Sequence, residues 1–303
     1  MNWFCIVVPG TLDAMTLTGL YVPLITPFDR AGAVALGALE SLAHQVLQAG
    51  ASGLVALGTT AEPSALTPGE RRTVLTTVAR VCREREAPLI VGANTEEALR
   101  ELADTPEVAA ALTLVPPFVR PGEEGVIAHF AGLAATSPVP LIVYDVPERT
   151  GQRLSANALR RLAAVPWVIG TKHAPGGITA DTVEFLAQPQ GISVLGGDDV
   201  FIAPLLAMGA QGGILATAHV ATEAFVALIS AWRAGDLSTA RTLGGPLSAL
   251  SAALLAEPNP SVIKAVLHAQ GRIPTPEVRL PLINASEAGT IRALTCLDNF
   301  SAE

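Results

Sequence analysis

The chain has 303 residues, half of them hydrophobic and 15% charged, with a formal net charge of −8. That balance supports a large buried core and excludes a disordered chain. The negative charge and the lack of any basic run exclude a nucleic-acid surface. The length suits an α/β barrel, which takes about 250 residues.

In chain order, the first ten residues, MNWFCIVVPG, are apolar but lack a basic flank, so they do not read as a signal peptide. Residues 1–16 read as a poorly ordered extension, with Met15 an alternative start. Beyond them, short apolar runs alternate with longer amphipathic ones. The runs at 20–25, 53–57, 89–92, 110–115, 141–144, 167–171, 193–196 and 212–216 are eight strand candidates. Their near-continuous hydrophobicity suits parallel strands covered on both faces. Stretches such as 36–49, 68–85, 123–136 and 155–164 read as the intervening helices. Thr67-Pro68-Gly69-Glu70 is a helix start, with a Thr cap, Pro at the first helical position and Glu in the first turn. Eight alternations predict a (β/α)8 TIM barrel over residues 17–219. No GxGxxG follows the first strand, which argues against a doubly wound sheet.

Residues 200–222 carry no Lys, Arg, Asp or Glu, but Pro204, Gln211, His219 and glycines interrupt them. A helix followed by a buried strand explains the run better than a membrane span. Apolar helical stretches at 222–234, 237–256 and 260–270 then predict an appended helical subdomain over 220–303. The cysteines, Cys5, Cys82 and Cys296, have neither zinc spacing nor a disulfide framework, which fits a reducing cytoplasm.

A barrel gathers its chemistry at the C-terminal ends of its strands. There the sixth strand ends in Thr171-Lys172. The chain has only two lysines, Lys172 and Lys264, against seventeen arginines. Burial disfavours the charged form of an amine, and a neutral lysine can form a Schiff base with a carbonyl substrate. A strand-end lysine that snorkels or pairs with a carboxylate is the competing explanation. The second strand leads into Gly58-Thr59-Thr60-Ala61-Glu62, whose hydroxyls and N–H groups suit either a carboxylate cradle or a capping turn. Tyr144 ends the fifth strand and is a proton carrier or a structural phenol; Arg149, just beyond it, could hold a carboxylate. Asp198 and Asp199 after the seventh strand read as a helix cap in preference to a metal site. None of the histidines His44, His129, His173, His219 and His268 forms an HxH or HExxH pair, so metal chemistry lacks support. His173 should point away from Lys172 and pack behind the site.

As a set, these segments resemble the dihydrodipicolinate synthase / N-acetylneuraminate lyase family of class I, pyruvate-dependent aldolases. The resemblance runs from about Leu17 to Pro281. It rests on TGLYVPLITPFD, GTTAEPSALTPGER, YDVPERTG, GTKHA, LGGDD and AEPNPSVIK. It implies that Lys172 forms the Schiff base with pyruvate or a related 2-keto acid, without metal or organic cofactor. Tyr144 would donate protons, Thr60 would bind the keto acid's carboxylate and Thr59 would relay protons to Tyr144. The backbone of Ile214 would line the pocket, and Arg149 would hold the carboxylate of an aldehyde partner such as aspartate semialdehyde. The implied assembly is a homotetramer built as a dimer of dimers. Phe118 stands where the synthases carry a relay tyrosine, and His173 follows the lysine where they usually carry Glu. Those departures keep two other readings open: an aldolase or dehydratase for 2-keto-3-deoxy sugar acids, and a keto-acid sensor without turnover. The shortened 91–95 loop and Pro68-Gly69-Glu70-Arg71, where histidines often sit, put the lysine-inhibition site of the synthases in doubt.

Overall fold

The computed structural model describes residues 16–188 and 191–302, so the expected N-terminal extension lies, except for Thr16, outside the described residues. Eight parallel strands close into a barrel in sequence order: β1 (Gly19–Pro23), β2 (Gly53–Ala56), β3 (Leu89–Gly92), β4 (Val108–Leu114), β5 (Leu141–Asp145), β6 (Val168–His173), β7 (Ser193–Gly196) and β8 (Gly212–Ile214). β8 pairs back onto β1. A ring of helices covers it: α1 (Leu36–Gln48), α2 (Pro68–Glu84), α3 (Glu96–Arg100), α4 (Gly122–Thr136), the short α5 (Pro147–Thr150), α6 (Ala156–Ala163), α7 (Ala180–Leu186), α8 (Ile202–Ala207) and α9 (Thr222–Ala234). α10 (Leu237–Leu254), α11 (Ser261–Ala269) and α12 (Glu287–Ala302) follow.

Strand side chains divide by alternation. Tyr21, Val55, Ile90, Leu112, Ile142, Leu195 and Ile214 fill the interior. Val22, Leu54, Val91, Ala111, Val143, Val194 and Leu215 face the helices. Both faces are apolar because both are covered, which is why the runs read as continuous. The expected start of the sixth strand at Trp167 is too early. Trp167 has φ +74°, outside the strand region, and pairing begins at Val168.

The α2 start is a full capping box: Thr67 Oγ1 accepts from Glu70 N and Glu70 Oε2 accepts from Thr67 N. α9 packs on β1 and α8 and takes the place of the ring's eighth helix. α10, α11 and α12 build a third apolar cluster with Leu250, Leu254, Val262, Val266 and Ala293, joined to the barrel through Ile25, Leu42 and Ala216. α12 was not among the expected helical stretches; Gly289, a poor helix former, sits in its first turn. Among the described residues no helix is long and apolar enough to cross a membrane; residues 200–222 form α8 and β8, as expected.

Candidate active site

Lys172 reaches the barrel interior through an irregularity in β6. Leu141 pairs with Val168, but Ile142 pairs with Gly170, so the register passes over one residue, Ile169. Val168 packs on the outer layer. With strict alternation Lys172, four residues on, would also face outward. The slip turns it inward, opposite Tyr144, its direct partner across the two strands. Lys172 is 6% exposed, and its Nζ lies over the Tyr144 ring, 4.3 Å from the centroid. Among the described residues it makes no hydrogen bond or ion pair. Its aliphatic stem rests on Gly197, where an added Cβ would stand 2.7 Å from Lys172 Cγ and 2.8 Å from Cε.

The other lysine is the opposite case. Lys264 is fully buried and its Nζ donates to Glu62 Oε1 at 2.5 Å and to the Glu277 carbonyl at 2.8 Å. Burial still pulls its pKa down to about 8 against the attraction of Glu62. So Lys264 is hydrogen-bonded to a carboxylate and Lys172, among the described residues, is hydrogen-bonded to none.

After β2 the chain makes a tight turn, Thr59–Ala61, bracketed by Leu57 (φ +54°) and Glu62 (φ +55°). Non-glycine residues in this region cost free energy and persist only where surroundings impose them. Here Glu62 Oε2 accepts from Arg279 N at 2.8 Å while Oε1 holds Lys264. Arg279 in turn grips Glu70 with both terminal nitrogens. Thr26 Oγ1 donates to Ala61 O at 2.8 Å. The result is a rigid turn in which Thr60 is buried and Thr59 half-buried, with the Thr59 hydroxyl bonded to no described residue.

The remaining expected residues divide. Ile214 is buried in the interior layer with Tyr144. Arg149 is exposed on α5, just beyond the strand that ends with Tyr144 and Asp145, and makes no ion pair among the described residues. His173 does pack behind the site: its Nδ1 lies 3.0 Å from Asp145 Oδ2 and its Nε2 3.1 Å from Thr182 Oγ1 on α7.

The helix-cap expectation for Asp198 and Asp199 is corrected. Asp198 caps nothing on its own helix. Its Oδ2 instead accepts the N–H groups of Gly176 and Gly177, at 2.8 and 3.2 Å, in the loop after β6. Burial pushes its pKa up to about 6, working against those two hydrogen bonds. Asp199 Oδ2 accepts from both N and Oγ1 of Thr217 beyond β8, each at 2.7 Å, and burial also raises its pKa. Each carboxylate thus ties neighbouring strand-end loops together. Among the described residues no group of His, Cys, Asp and Glu could hold a metal ion.

Two positions near the site had no assigned role in the sequence reading. Gly197 was legible only as part of the LGGDD run. Asn259, inside AEPNPSVIK, donates from Nδ2 to Thr60 Oγ1 at 3.0 Å, across almost two hundred residues of chain.

A sequence model of the dihydrodipicolinate synthetase family matches residues 16–295. The 4-hydroxy-tetrahydrodipicolinate synthase of an Exiguobacterium species is 35% identical over 290 residues, covering 94% of this chain and 98% of that protein. The 4-hydroxy-tetrahydrodipicolinate synthase 2 of Clostridium acetobutylicum is 32% identical over 278 residues, covering 90% and 96%. Among solved structures, a monomeric dihydrodipicolinate synthase variant superposes with a TM-score of 0.90 at 27% identity, covering 96% of this chain and 99% of that one. The chloride-inhibited enzyme of Acinetobacter baumannii, complexed with pyruvate, gives 0.88 at 31% identity, covering 94% and 99%.

Proposed function

The chain belongs to the dihydrodipicolinate synthetase family, and on that premise we propose that it is a class I lyase that joins pyruvate to aspartate semialdehyde, as a 4-hydroxy-tetrahydrodipicolinate synthase does. The observation that carries this reading is Lys172: a buried amine inside the barrel, against a phenol, with no carboxylate of the described residues bound to it. Its Nζ attacks the keto carbon of pyruvate. Loss of water forms the imine, and loss of a methyl proton gives the enamine that attacks the aldehyde carbon. Tyr144 delivers and removes protons in these steps, with Thr59 as its relay. Thr60 and the turn amides bind the keto acid's carboxylate, and the Ile214 backbone lines the pocket. Arg149, exposed at the mouth, takes the carboxylate of the aldehyde. No metal or organic cofactor enters these steps.

Phe118 favours a second reading. It sits in the loop after β4 with φ +66° and 90% exposure, beside Val119 at 77%. It has no hydroxyl to relay a proton, which favours a 2-keto-3-deoxy sugar acid aldolase or dehydratase acting through the same imine. The two apolar side chains also suit a contact with a second copy, and a homotetramer acting in the cytoplasm is part of this proposal. A keto-acid sensor would form the imine and stop there.

The test is incubation with pyruvate and borohydride, digestion and mass spectrometry. A reduced three-carbon adduct on Lys172 is expected. Absence of an adduct with pyruvate and with longer 2-keto acids would overturn the imine reading. Where the adduct forms, turnover of aspartate semialdehyde against 2-keto-3-deoxy acids separates the two enzymes, and turnover of neither leaves the sensor.

A further inference from the structure

Asn259 lies between α10 and α11, outside the barrel, yet its carboxamide reaches the turn after β2 and donates to Thr60 Oγ1 at 3.0 Å. A threonine hydroxyl has one proton to give and two lone pairs to receive with. With Nδ2 on a lone pair, the Thr60 proton must go elsewhere, and among the described residues it goes to no acceptor. The hydroxyl is therefore left as a donor. The amide orientation follows from what each choice strands. As it stands, one acceptor, Asn259 Oδ1, is buried without a partner among the described residues. Turned over, the amide would leave both of its N–H donors without an acceptor among the described residues, against one as it stands, the costlier arrangement.

The same part of the chain holds the far end of the turn, through Lys264 and the Arg279 N–H on Glu62. Residues 259–279 thus fix both the shape of the turn and the polarity of its buried hydroxyl. We infer that Asn259 is a positioning residue: it orients the Thr60 hydroxyl as a hydrogen-bond donor toward the carboxylate of the 2-keto acid bound at Lys172. This rests on the imine reading proposed above. It makes the helices beyond the barrel part of the keto-acid site.

The experiment uses Asn259→Asp, which keeps the shape but replaces the donor by an acceptor. The Thr60 proton would turn onto the introduced carboxylate, and the hydroxyl would present lone pairs to the substrate's carboxylate. Borohydride trapping on Lys172 is measured over a range of pyruvate concentrations. Half-saturation should rise about 10- to 100-fold, the weight of a hydrogen bond to a charged group, with the saturating rate changed less than about threefold. Asn259→Ala, which supplies no acceptor, should fall between the two and guards against misfolding of the Asn259→Asp variant. On a Thr60→Val background Asn259→Asp should add almost nothing, because there is no hydroxyl left to turn; on Thr60→Ser its effect should persist. If half-saturation in Asn259→Asp stays within about twofold of wild type, or the full effect survives in Thr60→Val, the inference is overturned and the imine reading stands. If wild type itself traps no keto acid, both fall.

Discussion

Lys172 and Tyr144 face each other across β5 and β6, with the amine 4.3 Å from the centre of the phenol ring and over its face. The ring and the hydroxyl therefore do separate things: the face steadies the amine when charged, by about 0.5–2 kcal/mol, and the hydroxyl is the group able to move protons. Tyr144→Phe keeps the first and removes the second. The rate of C–C chemistry should fall about 10²–10⁴-fold while the protein stays folded; a fall of under about threefold would make the hydroxyl a bystander. Lys172→Ala should give no borohydride adduct at all.

Gly197 supports the lysine stem. A methyl group there would stand 2.7 Å from Lys172 Cγ, and the flexible side chain would yield before the backbone. Gly197→Ala should slow borohydride trapping at least about tenfold, at a stability cost within the about 1–3 kcal/mol typical of overpacking. Trapping at the wild-type rate would mean that the stem has room to move.

Arg149 is exposed and forms no ion pair among the described residues, so removing it should leave the fold intact. Arg149→Ala should raise KM for a carboxylated aldehyde about 10- to 100-fold, the weight of a charge-assisted hydrogen bond, without changing half-saturation by pyruvate. Equal loss toward both substrates would place Arg149 in the structure of the mouth and not in recognition.

Phe118→Tyr restores a phenol at the relay position. If that hydroxyl is what the site lacks, turnover of aspartate semialdehyde should increase several-fold. An unchanged rate, with 2-keto-3-deoxy acids the better substrates, would favour the sugar-acid reading.

His219 makes stability depend on pH. Its Nε2 accepts from Ile25 N and its Nδ1 faces the Ala216 carbonyl, so the buried ring is neutral with the proton on Nδ1. Burial pulls its pKa down from 6.5 to about 4. Between those values the unfolded chain binds a proton that the folded chain refuses. Stability is therefore lost as pH falls from about 6.5 to about 4, by at most about 3 kcal/mol. Asp198, raised from 3.8 to about 6, works in the opposite sense over much of that window. Comparing Tm at pH 7 and pH 4.5 between wild type and His219→Gln cancels it. The variant should be less stable at pH 7 and lose less on acidification; equal losses would clear His219.

The barrel was legible because each of its strands is short, apolar on both faces and followed by an amphipathic stretch. Strand ends 59–60, 144 and 172 were legible as a site because hydroxyls, a phenol and a rare lysine recur at equivalent places in successive units. What the sequence by itself determined is the inventory and its order along the chain. It did not determine which way Lys172 points. That depends on the passed-over Ile169, a property of how β6 registers on β5. The strand end singled out Lys172, but that Lys264 is tied to a carboxylate was not legible, because its partner, Glu62, lies 202 positions away. Asp198 looked like a cap because caps are local, whereas the N–H groups it accepts come from another strand's loop. Asn259 had no local signature either, and its contact with Thr60 exists only once α10 and α11 have folded back over the barrel. Local pattern encodes burial and periodicity. The charge state, direction and partners of a side chain are set by long-range neighbours, and only the tertiary structure decided those.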